Sequence, residues 1–177
     1  TRLAGPQRNQ FRLVLGLAEA YRPVFEARLG AAGLPLELAD LPLALSAMNV
    51  HCASATGEAG PWMLTWPVAI RYGLRVDAQV DERRDAARST DAAARYLKDL
   101  LVRYGDPHLA VLAFMVGPAQ LEAARLRSGG SGNVQQLYPF LAPSHRGLLP
   151  GLIAMRWLAY AASGPHPRPI AVQPWED

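Results

Sequence analysis

Apolar positions recur at helical spacing along most of the chain. Phe11, Val14, Leu15 and Ala18 share one helical face, and a second helical stretch is predicted from Pro23 to about Ala31, with Pro23 suited to a first turn. Gly33-Leu34-Pro35 punctuates the pattern. Leu36 to Met48 is then apolar on every side, which predicts a central helix buried all round with Pro42 inside it. Asn49 to Gly60 turns small and polar and reads as a structured loop.

Trp66 to Tyr72 predicts a short helix with Gly73 at its C′ position. Asp77 to Arg88 is dense in charge and reads as a solvated loop. Ser89-Thr90-Asp91 is expected to cap a helix that runs to Tyr104 and ends at Gly105. Asp106 as N-cap and Pro107 at N1 open the next helix, to about Met115. Helices are also expected over Ala119–Arg127 and roughly Ser144–Ala162, with a flexible turn at Ser128–Gly132 between them. There is no strand pattern and no internal repeat. The fold class is all-α, as one domain over residues 1–164 with a Pro-rich, extended tail over 165–177.

Composition supports a folded core. Of 177 residues 50% are hydrophobic and 19% charged, too apolar for a disordered chain. No apolar run reaches the ~18–20 residues of a membrane span, so no transmembrane segment is expected. The 18 basic side chains, Lys98 the sole lysine among them, exceed the 15 acidic ones by three and are scattered. Such a balance argues against a nucleic-acid partner. Cys52 is alone, which excludes a disulfide framework and a cysteine-based zinc site. His51, His108, His145 and His166 show no metal-ligand spacing, so neither metal nor cofactor is expected. The chain begins at Thr1 without Met or a visible signal segment, as expected of a trimmed or mature part of a longer protein.

Several motifs stand in an order and spacing that point to one family. Gly33-Leu34-Pro35-Leu36-Glu37-Leu38 with Leu41-Pro42 resembles the approach to that family's active-site helix. Ser54, Gly57, Ala59-Gly60 and Trp62 resemble its S..GA.G-W-Q segment. Arg71-Tyr72-Gly73-Leu74, the Asp81–Asp85 run, Ser89-Thr90 and Tyr96-Leu97 resemble the stretch that follows. Leu109 to Pro118 is similar to an LALAAYN.GP segment, and Tyr138-Pro139 and Arg146-Gly147 with Pro150 to the closing region. Together these residues resemble the lysozyme-like lytic transglycosylases, specifically the soluble-transglycosylase catalytic domain of the membrane-bound D type; the resemblance covers about residues 20 to 160 and implies a lysozyme-like helical fold.

It also implies a site, a substrate class and a compartment. The family cleaves the β-1,4 bond between N-acetylmuramic acid and N-acetylglucosamine in peptidoglycan with one glutamate, acid then base, and yields a 1,6-anhydro product. Such an acid needs a pKa raised by an apolar pocket. In this sequence Leu45 stands at the glutamate position, and leucine cannot carry a proton. Met63 stands where the family has glutamine, Met115 asparagine, Phe114 tyrosine and Leu148 tyrosine. The resemblance therefore implies a catalytically degenerate domain of the periplasm or cell envelope. Its partner is expected to be peptidoglycan glycan strands, held weakly, or an envelope protein.

The remaining candidates follow from that frame. Glu58 is the nearest carboxylate after Leu45 in sequence and the alternative, displaced acid, set against a solvated loop glutamate. Ser46 and Ser54 match family serines and are groove candidates with equally good structural roles. Trp62 suits sugar stacking or the core, whereas Trp66 is expected in the core. Met63 and Met115, with Phe114 and Leu148, are expected either to fill the former subsite or to form an adaptable apolar contact surface. Glu37 reads as a helix-surface or packing residue, and Arg146 as a member of an intramolecular structural pair. His51-Cys52 is not read as a nucleophile pair, because neighbouring side chains rarely face each other.

Overall fold

A computed structural model describes residues 5–148 and 150–154, with side chains from Asn9 onward. The end of the expected last helix and the Pro-rich tail lie outside the described residues. The described part is helical without a sheet: α1 (Gly5–Ala31), α2 (Leu41–Ser46), α3 (Trp66–Arg71), α4 (Ala86–Tyr104), α5 (Pro107–Val116), α6 (Pro118–Arg127) and α7 (Val134–Leu137), joined by short 3-10 turns. Residues 150–154 are again helical. The all-α expectation stands.

The core is a bundle in which α4 packs against both α1 and α5, and α5 against α6. Each helix enters it for a local reason. Phe25 and Leu29 place one face of α1 fully in the core, which holds the helix together through Pro23. The two stretches expected on either side of that proline are thus one helix, with Pro23 on its exposed side. α5 is apolar but for His108 in its first turn, and Leu112 and Ala113 are essentially inaccessible. The Asp106 carboxylate accepts from the Leu109 amide at 2.8 Å, and Pro107 follows as first helical residue.

Two expected boundaries move. The single helix over Leu36–Met48 is instead a 3-10 turn, Leu36–Asp40, followed by α2, so Pro42 sits in a first turn where its missing N–H is harmless. The break falls at Asp40, which is buried and ion-paired with Arg22 of α1. α4 begins at Ala86 under the Asp85 cap, so Ser89 and Thr90 are buried interior residues and not the cap. Their hydroxyls donate back to Asp85 O at 2.5 Å and Ala86 O at 2.6 Å, which satisfies them inside the helix.

The charge-dense segment is also more than a solvated loop. The Arg83 guanidinium grips Asp81 with two 2.9 Å hydrogen bonds. It then reaches Gly57 O at 2.7 Å and Leu64 O at 3.2 Å. This ties the 3-10 turn Glu82–Arg84 to the loop between α2 and α3. The same two segments touch at Gly60 (φ 80°), where a Cβ would lie 1.8 Å from Arg83 O. Only glycine fits there.

Candidate functional site

α2 ends at Ser46, and the chain leaves it through two left-handed residues, Ala47 (φ 52°) and Met48 (φ 64°). That turn leaves Leu45 half-buried on the surface of the bundle, while Met48 plunges into the core. The loop that follows folds back on itself: Ala59 and Leu64 exchange both backbone hydrogen bonds at 3.1 Å. Ser46 pins this loop to α2, its hydroxyl shared between Pro42 O at 3.1 Å and Pro61 O at 2.9 Å. Met63 in the loop is left-handed as well, at φ 49°. Left-handed non-glycine residues thus occur both just after Leu45 and at Met63, in the two segments that border one place.

That place is a cleft of about 310 Å³. Leu45 of α2 and Met63 of the loop line one part of it, Phe114 and Met115 at the end of α5 another, with Leu148 beyond. Six of the residues singled out from the sequence, Leu45, Trp62, Met63, Phe114, Met115 and Leu148, therefore converge on one cavity with Glu58. The cavity is open and not filled by side chains, so Met63 and Met115 line it without closing it. Its volume sits at the lower end of the range for small-ligand sites, about 300–1,000 Å³.

Trp62 is core and cleft floor at once. It is 1% exposed, edge-on to Phe25 at 5.6 Å and to Phe114 at 6.0 Å. Its indole N–H donates to Thr90 Oγ1 at 2.8 Å. This burial withdraws its face from solvent and favours the core role over sugar stacking. Trp66, expected in the core, is 53% exposed: it is the first residue of α3, on the outer side of the Thr65 cap.

Ser46 and Ser54 do not join the cleft lining. Ser46 is buried and committed to the two carbonyls. Ser54 belongs to a local turn with Glu58: its hydroxyl accepts from the Thr56 amide at 3.2 Å and the Glu58 amide at 3.1 Å, and donates to the Glu58 carboxylate. Thr56 Oγ1 donates to the same Glu58 oxygen at 2.5 Å. Partial burial raises the Glu58 pKa, but these hydroxyls, its own amide and the nearby His145 outweigh it and hold the carboxyl below the usual 4.5. A general acid requires the opposite displacement.

Other cleft residues were not singled out. Thr65, Val68 and Tyr96 line it, and so does His145, whose Nδ1 is buried without a hydrogen-bond partner among the described residues. Tyr96 carries a legible signal, since it falls in a matched motif; His145 has none beyond proximity to Arg146. Arg146 is structural as expected, but its partners are the carbonyls of Leu141 at 3.0 Å and Pro139 at 2.7 Å, not a carboxylate. Glu37 is exposed on the 3-10 turn. Among the described residues no three His, Cys, Asp or Glu side chains are grouped to hold a metal. Nor is any single helix among them long and apolar enough to cross a membrane.

Comparison with known proteins places the chain in a family. Residues 23–135 match the transglycosylase SLT domain. The chain is 32% identical over 108 residues to membrane-bound lytic murein transglycosylase D of Escherichia coli K12, a match covering 60% of this chain and 24% of that protein. It is 31% identical over 121 residues to membrane-bound lytic murein transglycosylase F of Shewanella denitrificans, covering 64% and 23%. A putative tributyltin chloride resistance protein of Alteromonas is 30% identical over 105 residues, covering 59% and 51%. The matches to the two transglycosylases thus span about a quarter of their length. Because the family match takes in the chain from within α1 to the start of α7, the protein belongs to the SLT transglycosylase domain family.

Proposed function

We propose that this domain is a non-catalytic member of its family, a binding module of the cell envelope whose cleft holds a peptidoglycan glycan strand weakly. The observation that carries the reading is the state of the cleft's one carboxylate in the lining. Glu58 is tied down by two hydroxyls and held ionised, while Leu45, at the position where the family resemblance puts the glutamate, presents only hydrocarbon. Neither of these two side chains has a proton to give a leaving oxygen at neutral pH. The open volume supports retained binding, because nothing in the lining occupies the space. The envelope assignment is supported by the membrane-bound relatives.

A protein occupant is the second reading, favoured by the two methionines in the lining, whose flexible thioethers adapt to varied apolar partners. Incubation with purified sacculi separates these readings from catalysis. The expected result is sedimentation with sacculi and no 1,6-anhydromuropeptide. Release of that product, abolished by Glu58→Gln, would make the domain an active transglycosylase with a displaced acid. Absence of both product and sedimentation would favour the protein occupant.

A further inference from the structure

A second, larger chamber of about 740 Å³ opens beside the cleft, between α3, α4 and the start of α6. The two cavities share Val68, Tyr96 and Pro118, so they form one continuous depression. Their chemistry differs. Arg71, from the end of α3, and Arg103, from the end of α4, both line the chamber, and neither reaches the cleft.

Each guanidinium lies over the ring of the tyrosine that follows it. Arg71 lies 5.8 Å from the Tyr72 centroid and Arg103 5.3 Å from that of Tyr104. No carboxylate pairs with Arg71 among the described residues. Arg103 has only a long contact, 3.9 Å, with Glu122, which Arg125 shares at 3.5 Å. The acid in the chamber wall, Asp99, is engaged by the Tyr72 hydroxyl at 2.7 Å. Burial and that interaction push the Tyr72 pKa up to about 12.

We infer that the Arg71–Arg103 chamber is a binding site for an acidic peptide. A stacked guanidinium keeps its N–H fork free for a carboxylate and loses little side-chain freedom on pairing. The rest of the wall, with Val68, Leu100 and an 86% exposed Val102, suits the alkyl side chains that distinguish a peptide from a bare anion. The site goes beyond the reading of the cleft and stands whether or not the cleft holds glycan.

The test is an NMR titration of the ¹⁵N-labelled chain with the blocked tetrapeptide acetyl-Glu-Val-Glu-Val-amide, its Gln-Val-Gln-Val counterpart, and chitotetraose. The acidic peptide is expected to move the amides of Arg71, Tyr72, Asp99 and Arg103 and to weaken with added salt. Arg71→Gln and Arg103→Gln are each expected to weaken it about two- to fivefold, the reach of exposed ion pairs. Both side chains are exposed, so the circular dichroism melt should not move. Equal binding by the glutamine peptide, indifference to both substitutions, or shifts confined to Leu45, Met63 and Met115 would overturn the site. Chitotetraose reports on the cleft separately: shifts at Leu45 and Met63 alone uphold the division between the two cavities, whereas equal shifts at Arg71 and Arg103 make the chamber a saccharide site and overturn it.

Discussion

Trp62 and Thr90, 28 residues apart, meet inside the core where the indole N–H donates to the threonine hydroxyl at 2.8 Å. Trp62 anchors the loop that forms one side of the cleft, and Thr90 belongs to the central helix. This hydrogen bond therefore ties the site to the bundle from the core side, beside the Ser46 bond to Pro61 O. Thr90→Val keeps the shape but strands the indole N–H, and is expected to cost about 1–3 kcal/mol in urea unfolding. Thr90→Ser keeps the acceptor and should cost clearly less. Equal losses for the two would mean that the hydroxyl contributes no more than the methyl group.

Gly60 and Gly57 separate backbone strain from steric contact. Both have positive φ, 80° and 94°, but a Cβ at Gly57 meets nothing within 4 Å while one at Gly60 collides with Arg83 O. Gly57→Ala is expected to cost about 1–3 kcal/mol for conformation alone. Gly60→Ala adds the displacement of the Glu82–Arg84 turn and should exceed it in the same thermal melt.

Glu58 has a directional signature in pH. Its folded pKa lies below the ordinary 4.5, so the stability it contributes is fully present above that value and is lost as pH falls through the folded pKa. The stability difference between the wild type and Glu58→Gln should thus be flat from neutral pH to about 5 and shrink in more acid solution. A difference that grows on acidification would mean a raised pKa and would return Glu58 to the role of proton donor.

Leu45→Glu should not produce a transglycosylase. The new carboxyl would face Met63, Met115 and Leu148, which raise its pKa but offer no hydrogen bond to orient a sugar. No 1,6-anhydromuropeptide is expected from sacculi. Since Leu45 is only half-buried, the protein should fold, with a stability loss of about 1–3 kcal/mol by denaturant titration. Product release by this single variant would show that the cleft still positions substrate.

Much of this was legible in the chain because the signals were local. Asp106-Pro107 opens a helix wherever it stands before an apolar run, and Gly73 and Gly105 supply left-handed residues just past α3 and α4. The misplaced boundaries depended on distant partners. Pro23 stays inside α1 because Phe25 and Leu29 are buried, and the helix predicted over Leu36–Met48 breaks where Asp40 turns to Arg22. Thr90 resembled a cap because its hydroxyl acceptor duty, toward Trp62, is invisible in sequence. The cleft residues were found through motif order. The arginine chamber was not, since Arg71 and Arg103 lie on different helices and only packing juxtaposes them.

Arg83 grips the cleft-side loop from behind, through Gly57 O and Leu64 O, and so from a position outside the cavity. The wall that an occupant meets has therefore lost its conformational entropy during folding, before any encounter. Association at this wall requires no coupled ordering of the loop, and its heat-capacity change should reflect the water displaced from the apolar lining. A cleft of this kind selects occupants by the shape it already has.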